Sequence, residues 1–529
     1  MVMISSSAVQ LPLFQIVESD DLALAQHEDL VWFEMLRDFD YQPFLPVAAQ
    51  YYEALWRFNA DQIERRAETQ DKAINSEGQY NATLRLVEGR ATMNEQTPAL
   101  FEIKAETLEP LHVDAREIRP GFPPLRLAGR PPKCFFAMFK AFLGVVLQGK
   151  HPEPEAVFGE LRNNPSFART CGFTLPDIRT GYRQSDTPSL RKIEQFDQIM
   201  AASGLWGVAA VGQVARNLKS NRIKPESNIV HDTTHYEAYS SMHTVTLPTE
   251  KADQTKKKSV PATTKNCRCK DRHNCPHEWV SADEGAGTVT KSTSKRYWAH
   301  KASTLGLPEQ HILLDAVAMS DAASHDSQSL VPQLTRLFGF YPELKSTVKR
   351  VLDDGAADDT HLKAEVLETF GIDLLTPINP RGRKAISENL GRGIDHITAN
   401  GTPICKASYP FELLGCRRET EHFIFQAPKD EGGQYVCQTC PMKDGCYRGE
   451  SGGRQITISF ESLPWIDPEF PQSSKRFQKI MAKRTAIERL HKLMKYDYGD
   501  DRLTKRGNTS FQALLDKTLL AMHMVISSS

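Results

Sequence analysis

The spacing of apolar positions changes near residue 225 of this 529-residue chain. Before that point, apolar residues recur every three or four positions, a period that predicts amphipathic helices. The clearest such stretches are "VAAQYYEALWRFNADQIERRAETQDKA", "CFFAMFKAFLGVVLQG" and "SLRKIEQFDQIMAASGLWGVAAVGQVARNLK". Short loops between these helices favour a helical bundle or a helix-turn-helix module, and periodicity alone does not separate the two.

After residue 225, short apolar runs typical of β-strands take over. "SNIVHD" predicts a strand that ends at Asp232, "KRYWAHKAS" and "HILLDAVAMS" predict two more, and "STVKRVLDDGAADD" predicts a strand that ends at Asp353 and Asp354. The helical patterns "SHDSQSLVPQLTRLFGF" and "THLKAEVLETFG" precede and follow that fourth strand, and "IDLLTPI" predicts a fifth. Three strands followed by alternating helices and strands predict an α/β fold, with a mixed sheet flanked by helices.

These patterns divide the chain into five segments. We expect a mainly helical region at 1–114, a helical and DNA-binding region at 115–220, and the first part of an α/β core at 221–378. A β-rich, cysteine-containing insertion at 379–470 interrupts the core, which resumes at 471–529 with a helix over 475–496.

Charge is distributed unevenly although the net charge is only −1. Residues 1–114 carry 20 acidic and 8 basic residues, a net of −12, so the rest of the chain carries +11. Residues 251–301 hold 12 basic and 5 acidic residues, and 475–506 hold 11 and 4, so each segment is +7. Such basic segments are compatible with a polyanionic partner, and equally with solvated faces of a globular protein.

The chain shows no candidate membrane span, because the most apolar stretch, 134–150, is broken by Lys140. No basic leader precedes an apolar segment near Met1, so we expect a cytoplasmic protein. Cysteines in a reducing compartment are more often metal ligands or free thiols than disulfides.

The helix "MAKRTAIERLHKLMK" places four residues on one face: Met481, Arg484, Glu488 and Lys495. At about 100° per residue they fall within an arc of roughly 60°. A glutamate between two cations is either a solvated ion-pair stripe or a metal-binding carboxylate beside phosphate-binding cations.

Two further carboxylates come from the predicted strand ends. Asp232 and Asp354 would lie at the edge where α/β sheets place ligands, whereas Asp353 would face the other side of the sheet. An aspartate at a strand end is also a common cap or turn residue. Together with Glu488, however, the set offers the hard oxygen ligands that Mg²⁺ prefers.

In this arrangement the sequence resembles the DDE-type transposases of bacterial insertion sequences, which have a ribonuclease H-like core. The resemblance covers roughly residues 130–525 and rests on "VHDTTHYEAYS", "VLDDGAADD" and the late helix. That helix matches a Tyr-x2-Arg-x3-Glu-x6-Lys signature at Arg484, Glu488 and Lys495. Met481 replaces the tyrosine, and Ala357 replaces an aromatic residue that usually follows the second aspartate motif.

The resemblance implies that Asp232, Asp354 and Glu488 bind two Mg²⁺ ions, or Mn²⁺, and are the catalytic residues. Arg484 and Lys495 would then hold DNA phosphates. The implied reaction is phosphodiester hydrolysis at the ends of the protein's own insertion sequence, followed by strand transfer into target DNA. Pairing of two DNA ends implies a dimer on DNA, and the reaction needs no nucleotide cofactor and no membrane.

Two cysteine groups suggest zinc. In the insertion, Cys437, Cys440 and Cys446 have zinc-ligand spacing, and the fourth thiolate is Cys416 or, alternatively, Cys405. Free thiols and an iron–sulfur cluster are the other interpretations. The second group, "CRCKDRHNCPHEW", offers Cys267, Cys269, Cys275, His273 and His277, although its Cys-x-Cys spacing is less usual for zinc.

Two other functions remain open at the level of sequence. One is a ribonuclease H-like nuclease that cuts nucleic acid without strand transfer. The other is a zinc-stabilised DNA-binding protein, derived from a transposase, that has lost catalysis. The chain contains no Walker-type phosphate loop and no convincing dinucleotide-binding fingerprint, so nucleotide hydrolysis is not expected.

Overall fold

A computed structural model describes residues 27–69, 133–173, 187–248, 255–265, 267, 269, 271, 273–290, 296–379, 383–388, 390–499 and 502–528. The α-helices are α1 His27–Asp38, α2 Leu45–Thr69, α3 Phe135–Leu147, α4 Pro154–Asn163, α5 Pro165–Cys171, α6 Leu190–Ala202, α7 Leu205–Lys219, α8 Leu330–Phe340, α9 Thr360–Phe370, α10 Lys443–Cys446, α11 Lys475–Met481, α12 Ala486–Lys492 and α13 Asn508–Ser528. The strands are β1 Asn228–Glu237, β2 Met242–Pro248, β3 Thr255–Pro261, β4 Thr263–Lys265, β5 Trp279–Ser281, β6 Gly287–Thr290, β7 Arg296–Leu307, β8 Ile312–Ala318, β9 Arg350–Leu352, β10 Asp373–Leu375, β11 Ile394–Ile397, β12 Pro403–Cys405, β13 Glu412–Arg417, β14 His422–Gln426 and β15 Gln455–Ser459.

A six-stranded mixed sheet forms the centre of the fold. Its order is β10-β9-β1-β7-β6, and β8 also pairs with β7. β1 runs antiparallel to β7 but parallel to β9, and β10 runs parallel to β9. The predicted α/β class, with a mixed sheet flanked by helices, is therefore confirmed.

The inner strands are buried on both faces where they run parallel. Ile229, Val230, Val351 and Leu352 are all fully buried, in the continuous apolar pattern expected of parallel strands covered by helices. One hydrophobic core joins these side chains to the helices of 27–219 and to α13. At its helical end, the rings of Phe139 and Trp206 stack with centroids 5.3 Å apart.

The insertion has a small core of its own. Strands β13, β14 and β15 form an antiparallel sheet, and β11 pairs with β12. Phe423 and Phe425 of β14 and Phe411, which precedes β13, belong to a second hydrophobic cluster. The predicted β-rich character of this cysteine-containing segment is thus observed.

Three details differ from the sequence-based expectations. First, β1 does not end at Asp232 but continues to Glu237, because β7 pairs with it along this whole length. Second, two hairpins that the sequence patterns did not predict, β2–β3 and β4–β5, lie between β1 and β6. Third, the late helix is not continuous: a 3₁₀ turn, Ala482–Thr485, separates α11 from α12, and a π-helical turn, Leu493–Asp497, follows α12.

Taken singly, none of the described helices has both the length and the apolar character to cross a bilayer. Helices α6 and α7 meet those criteria only as a pair, and the pair is bent by 67°.

Candidate active site

Asp232 and Asp354 lie at the same level of two neighbouring strands. The parallel pairing of β1 with β9 ends at Val230 opposite Leu352, so each aspartate follows the last pair by two residues. Beyond that level β1 continues beside β7, where Asp232 is opposite Thr304. The carboxyl ends of the parallel strands therefore meet here, at the edge where α/β sheets place ligands.

The Asp354 side chain also has a structural role. Its Oδ1 accepts a hydrogen bond of 2.7 Å from the backbone N–H of Ala356 and so caps the short 3₁₀ turn Gly355–Ala357. Capping uses one lone pair of one carboxylate oxygen. The second oxygen remains available, so the cap fixes the direction of the carboxylate without consuming it.

The Asp232 carboxylate lies in an environment that opposes its negative charge. Burial raises the pKa of Asp232 to about 6, and the charges of Asp353 and Asp354 act in the same direction. A hydrogen bond of 2.7 Å from the Thr233 N–H and the nearby Arg484 guanidinium only partly offset this effect. A partly buried carboxylate with two acidic neighbours is a site that favours a cation.

Arg484 joins the strand edge to the late helix. Its Nη1 lies 3.4 Å from Oδ2 of Asp232, and its Nη2 lies 3.7 Å from Oε1 of Glu488. One guanidinium thus spans the two predicted carboxylates, and the Glu488 side chain is 67% exposed to solvent. The structure brings Asp232, Arg484 and Glu488 together. It also supports part of the alternative interpretation, because Arg484 and Glu488 do form an i,i+4 ion pair.

Lys495 and Met481 lie closer to the core than an open phosphate-binding face requires. The Lys495 Nζ donates to the carbonyl oxygen of His235 at 2.5 Å and lies 4.7 Å from the centroid of the Tyr236 ring. Lys495 therefore ties the π-helical turn to β1. Met481 packs against the main hydrophobic core, which explains an apolar residue at this position.

His491 is a residue of this site that the sequence analysis missed. Its Nε2 lies 2.8 Å from Oγ1 of Thr304, and that hydroxyl donates at 2.9 Å to the carbonyl oxygen of Asp232. Burial, together with the nearby positive charge of Lys495, lowers the pKa of His491 to about 3, so the ring is neutral. The available signal was its spacing, since position 491 lies one helical turn after Glu488.

On the opposite face of the sheet, a buried polar network lies beneath the two aspartates. His231 Nδ1 is 2.6 Å from Oδ2 of Asp353, and its Nε2 is 2.9 Å from Oγ of Ser303. Asp353 also accepts a hydrogen bond of 2.7 Å from the backbone N–H of Asp354. Asp353 thus points away from Asp232, into the network.

In the insertion, three of the four predicted cysteines line one cavity of about 490 Å³ together with Cys405. Burial raises the pKa of Cys437, and the thiols Cys446, Cys405 and Cys440 act in the same direction. The Cys446 Sγ accepts a hydrogen bond of 2.7 Å from Arg454. Cys416 does not line this cavity; its Sγ lies 3.2 Å from the carbonyl oxygen of Pro468.

The second cysteine group is more tightly gathered. Ligand atoms of Cys267, Cys269, Cys275 and His277 all lie within 4.8 Å of one another, the one such group in the described part of the chain. His273 is not part of it, since its ring lies against Trp279 with centroids 5.6 Å apart. A Cys₃His set of this kind could bind zinc.

Comparisons with known proteins add little. No family model matches the chain, and no curated protein matches it. Among solved structures, a cryo-EM structure of a piggyBac transposase synaptic complex with hairpin DNA aligns with 94% of this chain and 75% of its own, at 9% identity and a TM-score of 0.32. A TM-score this low does not assign a function.

Proposed function

We propose that this chain is a DNA transposase whose divalent-metal site consists of Asp232, Asp354 and Glu488. The observation that carries the proposal is the bridge formed by Arg484, which joins Asp232 to Glu488 beside the capped carboxylate of Asp354. The sequence motifs that resemble DDE-type transposases lie on these same elements.

The donor set fits a hard divalent cation. All three side chains are carboxylates, which suit Mg²⁺ or Mn²⁺. The raised pKa of Asp232 reflects first the burial of its charge and then the charges of Asp353 and Asp354, and a bound cation would offset both effects. When bound, such ions stabilise charge on the attacking and leaving oxygens of a phosphodiester.

The chain's own residues would position the DNA. Arg484 is half-buried and held by two carboxylates, so its planar guanidinium is oriented before DNA arrives and can contact the scissile phosphate through two N–H groups. The link from His491 through Thr304 to the Asp232 carbonyl holds α12 against the sheet. Lys495, which ties the π-helical turn to β1, would add a positive charge near the site.

The proposed reaction has two steps. The first breaks one phosphodiester bond, and the second leaves the number of phosphodiester bonds unchanged. Water attacks the phosphorus at the element's end, the bond to the 3′ oxygen breaks, and a 3′-OH is freed. That hydroxyl then attacks a phosphorus of target DNA, forming one phosphodiester as another breaks. The second step therefore needs no external energy source. Joining two ends in one reaction requires a dimer on DNA.

In the insertion, zinc would be held by Cys405, Cys437, Cys440 and Cys446, which line one cavity. Cys416 is replaced in this proposal because its thiol is directed to Pro468. The hydrogen bond from Arg454 to Cys446 would stabilise the thiolate form that zinc requires.

The test uses full-length protein and oligonucleotides carrying the inverted repeats identified in the DNA that flanks the coding region. Cleavage and strand joining are scored separately, with Mg²⁺ and then Mn²⁺. The proposal expects both activities, and expects Asp232→Asn and Glu488→Gln each to abolish them while end binding persists. Cleavage without joining would instead establish the nuclease. Binding without any metal-dependent cleavage would establish the catalytically inactive DNA-binding protein.

A further inference from the structure

The Cys₃His group occupies the loop of the β4–β5 hairpin, outside the candidate active site. Three residue pairs form this hairpin, from Thr263 opposite Ser281 to Lys265 opposite Trp279. Such a short hairpin has little intrinsic stability of its own. The loop between its strands therefore needs another source of order.

The distances within the group agree with a tetrahedral metal. Cys267 Sγ lies 3.5 Å from Cys275 Sγ, and Cys269 Sγ lies 3.6 Å from Nδ1 of His277. Zn–S bonds of about 2.3 Å and Zn–N bonds of about 2.0–2.1 Å place two sulfurs about 3.8 Å apart, and sulfur and nitrogen about 3.6 Å apart. A disulfide would need an S–S distance of about 2.0 Å and would leave Cys269 and His277 unexplained.

The surroundings of the group suit its charge. Three thiolates and one Zn²⁺ carry a net charge of −1. Lys265 is buried beside them, and its Nζ donates to the carbonyl oxygens of His273 at 3.2 Å and of Cys275 at 2.9 Å. The ammonium also lies 5.0 Å from the Trp279 ring centroid. One buried positive charge thus compensates the net charge of the site.

The base of the hairpin is fastened to the central sheet. Asp283, two residues after β5, accepts hydrogen bonds from Ser240 at 2.6 Å and from the Gly507 N–H at 2.7 Å. The same carboxylate lies 2.9 Å from Nε2 of His300 on β7. A metal-ordered loop would therefore be held in a fixed position relative to the central sheet.

We propose that Cys267, Cys269, Cys275 and His277 form a structural Zn²⁺ site that orders the β4–β5 hairpin. The site is closed, because the protein supplies all four ligands of a tetrahedral ion. Its role is independent of the proposed transposase chemistry. Zinc binding and folding of the loop would be coupled, as in small zinc-stabilised domains.

Zinc content of purified full-length protein tests this proposal. The proposed site in the insertion would contribute its own zinc, so the measurement is made in a Cys440→Ser background. Cys134→Ser, which removes an exposed cysteine outside both groups, is the control. We expect one equivalent of zinc in Cys440→Ser and in Cys134→Ser/Cys440→Ser. The double variant Cys269→Ser/Cys440→Ser should lack this equivalent of zinc.

Cobalt substitution provides a second measurement. The Cys440→Ser protein loaded with Co²⁺ should show the intense visible absorption of tetrahedral sulfur coordination. His277→Ala should lose that spectrum, and His277→Cys should restore it, because thiolate replaces imidazole as fourth ligand. Equal zinc with and without Cys269→Ser, or a Cys267–Cys275 disulfide found by mass spectrometry, would overturn the proposal. Neither result depends on DNA cleavage.

A separate observation supports an inference about the buried pair beneath the active site. His231 lies on β1 and Asp353 directly follows β9, and each precedes a proposed metal ligand by one residue. Their contact of 2.6 Å joins β1 to β9 at the level of Asp232 and Asp354. Both side chains are at most 5% exposed, so the pair is rigidly enclosed.

We infer that His231 and Asp353 are positioning residues that set the separation of Asp232 and Asp354. Asp353 acts through both oxygens, since one contacts His231 and the other accepts the N–H of Asp354. Ser303 holds the far side of the imidazole ring from β7. This inference rests on the proposed metal site, whose geometry it explains.

The test compares two buried histidine–aspartate pairs. His231→Asn is matched by His300→Asn, which breaks the equally buried contact with Asp283 elsewhere in the sheet. Both variants should lose stability in urea unfolding. Only His231→Asn should weaken Mn²⁺ binding, measured by electron paramagnetic resonance, by about 10–100-fold. Asp353→Asn keeps one oxygen that can accept the Asp354 N–H but places an NH₂ group against His231, so it should weaken Mn²⁺ binding in the same direction as His231→Asn.

The outcomes separate the inference from the proposed function. Equal Mn²⁺ affinity of His231→Asn and His300→Asn would overturn the positioning role, while the metal site would stand. The metal site would be overturned if the parent protein did not bind Mn²⁺, or if Asp232→Asn bound it equally well. The positioning role would then fall with it.

Discussion

Asp232→Asn should make the protein more stable while it abolishes cleavage. The pKa of this carboxyl group is raised to about 6, mainly by burial, from an ordinary value near 3.8. Between these values the folded state binds more protons than the unfolded state, so stability falls as pH rises through this window. At 1.36 kcal/mol per pKa unit, the ionised carboxylate costs about 3 kcal/mol above pH 7.

The neutral amide removes this cost and retains an oxygen that can accept the Thr233 hydrogen bond. The attraction to Arg484 is already included in the net pKa, so about 3 kcal/mol is the upper bound and we expect a gain of about 1–3 kcal/mol at pH 7.5. The difference in the free energy of unfolding between Asp232→Asn and the parent should grow with pH. Roughly half of its pH-dependent part should develop between pH 5 and pH 7.5. Urea unfolding in a buffer free of Mg²⁺ and Mn²⁺, repeated at several pH values, measures this directly.

Asp283→Asn is the matched control with the opposite sign. Although burial opposes its charge, hydrogen bonds from His300, Ser240 and the Gly507 N–H lower the pKa of Asp283 to about 2. Its ionised form is therefore stabilising, and this contribution is lost as pH falls through about 2. Neutralising it should cost about 2 kcal/mol at pH 7.5.

Added Mg²⁺ should stabilise the parent protein and leave Asp232→Asn unchanged, because only the parent retains the binding charge. Asp283→Asn should be destabilised in the same assay. If Asp232→Asn is also less stable than the parent at pH 7.5, the inference that the ionised Asp232 carboxylate destabilises the metal-free protein is refuted.

Three further predictions concern the late helix. Glu488→Gln should lower cleavage by several orders of magnitude while binding to the element's ends is unchanged. Glu194→Gln, which alters an exposed helical glutamate, should change neither cleavage nor end binding. Gel-shift and cleavage assays on the same DNA measure the two activities. Arg484→Lys should slow cleavage strongly although the charge is kept, since one ammonium cannot span two carboxylates, and an unimpaired rate would contradict the bridging role. Gly306→Ala should destabilise the fold by about 1–3 kcal/mol and reduce cleavage, because a Cβ on Gly306 would meet the backbone oxygen of Ile312 at 3.0 Å and a methyl carbon of Leu490, on α12, at 2.5 Å. The Leu490 side chain can move, but the backbone of β8 cannot give way as easily. Gly339→Ala, whose Cβ meets nothing within 4 Å, should leave cleavage unchanged and be neutral or stabilising in the same unfolding assay.

Local sequence was sufficient for the elements that carry short, dense apolar runs. "NIV", "RVL" and "DLL" lie in β1, β9 and β10, and the aspartates that follow the first two lie at one sheet edge, as parallel strands require. The cysteine spacings likewise pointed to the Cys₃His group, whose ligand atoms lie within 4.8 Å of one another, and to three of the four cysteines that line the cavity in the insertion. Apolar alternation and ligand spacing are properties of neighbouring residues, so the chain alone reveals them.

Other features depend on residues far apart in the chain. Cys405, on β12, lines the same cavity as Cys437, whereas the Cys416 thiol, on β13, contacts the carbonyl oxygen of Pro468. These positions follow from the packing of the insertion. The length of β1 beyond Asp232 is set by its pairing with β7, more than 60 positions later. Neither partner is visible in the local pattern.

The late helix shows the same division most clearly. Its sequence has the period of one continuous helix, and that period correctly placed Arg484 and Glu488 within reach of each other. Contacts with the sheet are made across its length: Arg484 to Asp232, His491 to Thr304, and Lys495 to His235. The 3₁₀ and π-helical turns lie where these contacts begin and end. The sequence by itself determined which residues share the face, and only the tertiary structure decided which strand each one meets, because those contacts join positions separated by 187 to 260 residues.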